Sequence, residues 1–145
     1  MDTKRRNGFT LIELLLVLVI LAALSAIIVP KFSNRSKDAK ITAAKTDIAN
    51  LEVALDSFEI DTGRYPTTTE GIRALIIEPS NTNENEWKGP YLKRGVPKDP
   101  WQNEYVYKYP GQYNEYSYDL YSYGPDGTQG TEDDIKNWTE DQYKR

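Results

Sequence analysis

The 145-residue chain carries 18 Lys and Arg against 22 Asp and Glu, a formal charge of −4, and it has neither cysteine nor histidine. That length holds one modest domain and a membrane segment rather than two domains, and an acidic balance argues against nucleic-acid binding, which needs clustered cations on phosphate. Without histidine the commonest general base and transition-metal ligand are missing, so an enzyme is not expected; without cysteine a small exported core must be stapled by something else, a metal being the next candidate.

Residues 1–8 hold Lys4, Arg5 and Arg6, and from Phe9 to Val29 the only strongly polar side chain is Glu13. As a helix rising about 1.5 Å per residue, that apolar run reaches roughly 31 Å, the thickness of a bilayer's hydrocarbon core. A signal anchor with its basic end on the cytoplasmic side accounts for the length and orientation. It does not account for Glu13, since a carboxylate within a spanning helix costs about 2.5–3.5 kcal/mol, less near the interface. A cation would offset that cost: the leader's arginines in the uncut chain, or a new amino group if the chain is cut before Phe9. Ala23-Leu24-Ser25 also has the small residues of an ordinary secretory cleavage site, which would release a soluble chain from Ala26; an acidic Glu13 is out of place in such a signal.

The basic leader, Gly8, Phe9-Thr10-Leu11-Ile12-Glu13 and the apolar helix resemble the class III signal of type IV pilin-like proteins. The resemblance implies that a prepilin peptidase in the membrane cuts between Gly8 and Phe9, that Phe9 is then N-methylated, and that Glu13 pairs with the N-terminus of a neighbouring subunit during filament assembly. Loss of residues 1–8 removes three cations and one anion and takes the net charge from −4 to −6.

Pro30 stands where the apolar run meets Lys31, and a kink or local melting is expected there. Beyond it Ala39, Ala43, Ala44, Ile48, Leu51, Leu55 and Phe58 recur every three or four residues, an amphipathic face expected to pack on the chain's own domain. Asp61-Thr62-Gly63 supplies the stop, with Gly63 as the C-terminal cap. A short helix is predicted from Thr69 to Ile77, capped by Thr68 or Thr69 and apolar at Ile72, Leu75 and Ile76. Residues 79–86 read as a polar loop, and Trp87 to Leu92 returns the chain to the core.

Gly63-Arg64-Tyr65-Pro66-Thr67-Thr68, Gly71-Ile72-Arg73-Ala74-Leu75, Gly89-Pro90-Tyr91-Leu92 and the run from Val96 to Tyr105 resemble the major pseudopilins of type II secretion systems. The likeness covers nearly the whole mature chain in order, and Pro97-Lys98-Asp99-Pro100-Trp101 is its most specific part. It departs at Gln102, where that family often has glycine, which bears on the local turn.

Tyr105, Tyr107 and Tyr109 alternate, as do Tyr116, Tyr118, Leu120 and Ser122, the spacing of strands. They predict a small antiparallel sheet with an aromatic face on the Ile48–Phe58 stripe, too short to stand without the helix. Tyrosine subunit contacts, and tyrosines that stack with Trp101 on sugars, are the alternatives.

From Tyr123 to Ile135 the chain gathers Gly124, Gly127 and Gly130 with Asp126, Glu132, Asp133 and Asp134. Calcium takes six to eight oxygens from carboxylates and carbonyls, and this loop could bring Asp126 and the Asp133-Asp134 pair round one ion. A solvated acidic turn is the other reading, and the spacing is not that of an EF-hand. The pseudopilin resemblance implies a calcium site here, with Asp126, Asp133 and Asp134 as ligands and backbone carbonyls near Tyr123, Thr128 and Thr131. Such an ion would stabilise by binding only the folded state. Trp138 is expected to pack the tail down, and Thr139 to Arg145 to fray.

The expectation is thus an α+β, pilin-like fold, in which a long N-terminal helix, membrane-spanning in its first half, packs on a small antiparallel sheet with a C-terminal calcium loop. Its parts are a removed leader at 1–8, a transmembrane and filament-core helix at 9–30, an amphipathic head helix at 31–62, and a periplasmic globular region at 63–145. By resemblance the chain is a structural subunit of the periplasmic pseudopilus, polymerising through its N-terminal helix to drive export of folded proteins across the outer membrane. Implied partners are copies of itself, minor pseudopilins, the prepilin peptidase, the inner membrane, and an assembly platform with its own ATPase. No nucleic acid is implied. A type IV pilin for adhesion, motility or DNA uptake is the alternative, although such pilins commonly close their C-terminal region with a disulfide. A secreted calcium-dependent sugar-binding module cut at Ala26 is another.

Overall fold

The computed structural model describes residues 8–83 and 85–139, the side chains of 26–34 excepted. The chain divides into two compact units, 1–38 and 39–145, and the helix α1 (Leu11–Thr62) has residues in both.

In the first unit Thr10 starts α1. Its carbonyl and hydroxyl oxygens accept the Glu13 N–H at 3.1 and 3.3 Å. Thr10-x-x-Glu13 is therefore an N-cap with the spacing of a capping box. The large apolar side chains from Leu11 to Leu24 are exposed. No helix among the described residues is long and apolar enough to cross a membrane; the apolar run continues through 26–29, whose side chains lie outside them. The backbone is helical through Pro30, so the proline removes one ladder bond without ending the helix.

In the second unit α1 buries Ala44, Ile48, Leu51, Ala54, Leu55 and Phe58. Ala39 and Ala43, expected on that face, are exposed; at about 100° per residue they lie roughly 180° and 140° round the helix from Ile48. Gly63, at φ +72°, donates its N–H to the Glu59 carbonyl at 2.7 Å and ends the helix as expected.

The segment expected as a helix from Thr69 to Ile77 is only a 3-10 turn at Ile72–Leu75, begun by Gly71 without a side-chain cap. The capping box forms earlier. Glu70 accepts the Thr67 N–H at 2.7 Å while the Thr67 hydroxyl accepts the Glu70 N–H at 3.3 Å. Arg64 grips the same carboxylate through two nitrogens, at 2.7 and 3.0 Å, and holds Glu70 down to about 2 from an ordinary 4.5. The turn this box opens goes no further than Gly71, whose backbone at φ +60° and ψ −167° is not helical.

Strands β1 (Val106–Lys108), β2 (Asp119–Ser122) and β3 (Ile135–Lys136) form an antiparallel sheet in that order. Tyr107 faces Leu120, and Ser122 faces Ile135. Tyr105, Tyr107, Tyr118 and Leu120 join the α1 stripe in one core. Tyr116, assigned to the same face by alternation, is 98% exposed, because Ser117 folds back to the Asn114 carbonyl and the strand begins only at Asp119.

The tyrosines bury their rings and rest their hydroxyls on polar groups at the rim. Tyr105 donates to Asp47 at 3.0 Å, Tyr65 to Asp56 at 3.2 Å, Tyr91 to Asp61 at 3.0 Å and Tyr107 to the Pro66 carbonyl at 2.7 Å. Burial first, then the Asp47 carboxylate, pushes the Tyr105 hydroxyl well above its ordinary 10. The rings of Tyr105, Tyr107 and Tyr118 are spent on core packing, and Trp101, which the sugar-stacking alternative needs, also packs against that core.

Candidate functional site

Two places concentrate chemistry. At the N-terminus Gly8, Phe9 and Thr10 precede the helix and are exposed. Phe9 is 77% exposed, and none of the described residues lies within 4 Å of the position a Gly8 side chain would take. The Gly8–Phe9 bond is thus non-helical and open, two residues ahead of a capped helix start. Glu13 sits in the first turn of α1, where the helix's positive end favours a carboxylate. The leader cations Lys4, Arg5 and Arg6 lie outside the described residues.

The second place is the acidic loop after β2. A 3-10 turn at Gly124–Asp126 is closed by Gly127 in the left-handed region. Gly124, at φ +68°, backs onto the Asp133 carbonyl so closely that a Cβ there would collide with it. The loop is therefore drawn shut across its neck. The Asp126 N–H donates to Asp133 Oδ2 at 3.3 Å, and the Thr131 hydroxyl donates to Asp133 Oδ1 at 2.7 Å. Asp126 Oδ1 accepts the Thr128 N–H at 2.8 Å, and Asp134 Oδ2 accepts the Gly130 N–H at 2.8 Å.

The loop thus sets Asp126 against Asp133, while Asp134 turns to Gly130. Among the described residues no group of three or more metal-type side chains stands at metal-holding spacing. One atom is out of balance: Asp134 Oδ1 is buried and has no hydrogen-bond partner among the described residues. A buried carboxylate oxygen without a donor is costly, and it is the kind of group a cation satisfies. Asp134 also helps line a cleft of about 730 Å³ with Tyr113, Asp119, Tyr121, Lys136 and Trp138. The aspartates and carbonyls of the loop offer oxygen donors, which suit a hard cation, while Lys108 and Lys136 put positive charge on the same cleft.

Sequence reasoning missed the scaffold under this loop. Asp99 and Ser122 are 1% and 0% exposed, and the Ser122 hydroxyl donates to Asp99 Oδ2 at 2.5 Å. Asp99 Oδ1 accepts the Trp101 and Asn103 N–H groups at 3.0 and 2.8 Å. Asp-Pro-Trp was legible as a turn, and an aspartate there commonly bonds backbone two residues on; the reach to Ser122 depends on the fold. Asp119, also buried, accepts the backbone N–H groups of Gln112, Tyr113 and Asn114. Trp138 holds the tail as expected, stacked on Tyr113 with ring centroids 4.5 Å apart. Residues 140–145 of the expected frayed tail lie outside the described residues.

The family model described as "Type II secretion system (T2SS), protein G" matches residues 31–138, and the prokaryotic N-terminal methylation motif matches residues 3–29. The chain is 43% identical over 140 residues to the type II secretion system core protein G of Escherichia coli (strain K12), covering 94% of this chain and 93% of that one. It is 43% identical over 143 residues to the core protein G of Pseudomonas aeruginosa, covering 95% and 99% of the two chains. Among solved structures it resembles the major pseudopilin from the type 2 secretion system of enterohaemorrhagic Escherichia coli, with a TM-score of 0.63 and 38% identity over 72% of this chain and 87% of the other.

Proposed function

Because the chain belongs to the type II secretion system protein G family, and is thus a structural subunit of the pseudopilus, we propose how its two sites serve that role. A prepilin peptidase cuts the exposed Gly8–Phe9 bond, and the amino group released on Phe9 is methylated. The Thr10 cap lies beyond the cut, so processing leaves the helix start intact. Glu13 then meets the methylated N-terminus of the next subunit, a cation for the carboxylate that is otherwise costly in an apolar helix. The observation that carries this reading is a matched methylation motif whose scissile bond is open while its glutamate stands one helical turn away.

Residues 9–30 anchor the subunit in the inner membrane and later form the filament core, with the head in the periplasm. Minor pseudopilins, an inner-membrane assembly platform and that platform's ATPase are the other partners. Nothing in the sequence resembles a phosphate-binding glycine loop with lysine, so the energy for assembly would come from the partner's ATPase.

Calcium is proposed for the acidic loop, held by Asp126, Asp133 and Asp134 with carbonyl oxygens of Tyr123, Thr128 and Thr131. The unpartnered Asp134 Oδ1 supports this reading. The ion would supply positive charge to adjacent carboxylates and lock the loop by binding the folded state alone.

The test is the intact mass and N-terminal sequence of the protein from native membranes, alongside a Glu13→Gln variant. A chain beginning at methylated Phe9, with the variant processed but unable to form filaments, is the expected result. A chain beginning at Met1 or Ala26 would overturn the processing, and filaments of the variant would overturn the role of Glu13.

A further inference from the structure

The turn between β1 and β2 is held by a buried charge. Asp119, 1% exposed, spends its carboxylate on the backbone N–H groups of Gln112, Tyr113 and Asn114 at 2.7, 3.1 and 2.9 Å. The Gly111 N–H donates to the Ser117 carbonyl at 2.8 Å and the Ser117 N–H to the Asn114 carbonyl at 2.9 Å, while the Asn114 side chain donates to the Tyr118 carbonyl at 2.9 Å. A side chain at Gly111 would strike Asp119 Oδ1 and the Asn114 carbonyl, so the turn is closed tightly over that carboxylate. Within it Tyr113 stacks on Trp138, whereas Tyr116 stands 98% exposed. A rigid turn that gives a whole aromatic ring to solvent adds nothing to the core. It does suit a contact, because little backbone order remains to be lost on binding and tyrosine is enriched among the residues that dominate interfaces.

The chain is a pseudopilus subunit, and copies that stack into an open helix meet through two different surfaces of the same chain. A partner surface for Tyr116 must therefore lie elsewhere on the head. A cleft of about 530 Å³ lies between residues 70–77 and residues 96–107, and none of its lining residues belongs to the 111–117 turn. Ile77 and Val96 line it while 52% and 37% exposed, an apolar seat for a ring. Glu70 there is already paired with Arg64, which leaves Arg73 and Lys98 against Glu104. That rim is net positive, and the one charge of the 111–117 turn is the exposed Glu115. We propose that Tyr116 of one copy seats in the Ile77–Val96 cleft of the next, with Glu115 meeting Arg73 and Lys98, as a contact between heads in the filament. The contact needs neither the processing at Phe9 nor an ion in the acidic loop.

The test is filament formation by the full chain in cells that carry the rest of the secretion system, with thermal melting of each purified variant beside it. Tyr116→Ala should lose filaments while melting with the wild type, since the ring touches nothing in its own head; Tyr116→Phe, which keeps the ring, should retain them. The chain has no cysteine, so the pairing can be read directly: Glu115→Cys and Ile77→Cys chains expressed together should form a disulfide-linked dimer that neither forms alone. Wild-type filament yield from Tyr116→Ala would overturn the proposal, and so would a lowered melting temperature, which would make Tyr116 a residue of the fold. Filaments of the two cysteine variants without the crosslink would overturn the Ile77–Val96 cleft as the receiving surface. Each of these failures leaves the role of Glu13 standing, because Glu13→Gln is scored on a chain whose turn and cleft are intact.

Discussion

Asp134→Ala should have little effect in chelator and a large one in calcium. In the unloaded loop Asp134 keeps one good bond, Oδ2 to the Gly130 N–H at 2.8 Å, and one buried oxygen without a partner. A hydrogen bond to a charged group contributes about 1.5–3 kcal/mol, and an unsatisfied buried polar atom costs about 1–3 kcal/mol. The two nearly offset, so in chelator the variant should lie within about 1 kcal/mol of wild type. With calcium at a hundred times its dissociation constant, binding adds about 2.7 kcal/mol to wild type. At about 3–5 °C per kcal/mol for a domain of this size, that raises the melting temperature by about 8–13 °C. The variant should lose most of this rise. The assay is thermal melting of the full chain in detergent, with calcium and with chelator, for both proteins. An equal loss in both conditions would make Asp134 a structural residue and refute the reasoning, as would a variant that keeps the full calcium-dependent rise.

Glu70→Gln should cost about 2 kcal/mol at pH 7, the full linkage of its depressed carboxyl being discounted for partial exposure. The folded value of about 2 lies below the ordinary 4.5. The contribution is therefore whole above about pH 4.5 and fades as pH falls through 2, where variant and wild type should unfold at the same denaturant concentration. Gln102→Gly should stabilise by about 0.5–1 kcal/mol, since relief of a left-handed residue gains about 1–2 kcal/mol against about 0.5–1 lost to glycine's freedom; Gln102 stands at φ +75°, and a fall in the urea midpoint would refute this. Gly124→Ala should cost more than 1–2 kcal/mol, because it adds a collision with the Asp133 carbonyl to an unfavourable φ. Its calcium-dependent melting rise should disappear.

Long-period signals were legible in the chain, and local geometry was not. The 3.6-residue recurrence of Ile48, Leu51, Leu55 and Phe58 marks a buried face whatever it packs on, and Gly63 ends the helix because few other residues accept its φ. Alternation failed at Tyr116, where a turn closed by Ser117 and Asn114 interrupts the strand. β3 escaped notice because two residues cannot display a period. The helix expected from Thr69 to Ile77 rests on a helical apolar spacing, which does not reveal that Gly71 takes a positive φ and breaks the segment. Family membership excludes the alternatives of a displayed pilin and a secreted sugar-binding module. Gln102 shows why glycine suits its position: the turn demands a positive φ, and this chain meets the demand with a side chain that tolerates it less well.

How the C-terminal segment is held explains why the loop matters to the whole head. β3 contributes only Ile135 and Lys136 to the sheet, too little ladder to secure a chain end by itself. The rest comes from side chains. Asn137 accepts the Leu120 N–H at 2.9 Å and donates to the Tyr118 carbonyl at 3.2 Å, and Trp138 stacks on Tyr113. These ties grip residues 137 and 138, while the ten residues from 125 to 134 are held at their two necks, by Gly124 against Asp133 and by the bonds of Asp126 and Asp134. Opening the loop would release Ile135, which is buried in the core beside Leu120, so the loop and the sheet edge should open as one unit. With no cysteine in the chain no disulfide ties this loop, and the proposed cation, by binding only the closed loop, would raise the cost of that opening. Hydrogen exchange at Leu120 and Ser122 should then slow with calcium, whereas exchange at Leu51 and Leu55 should follow global unfolding; protection at Leu120 that ignores calcium would separate the loop from the core.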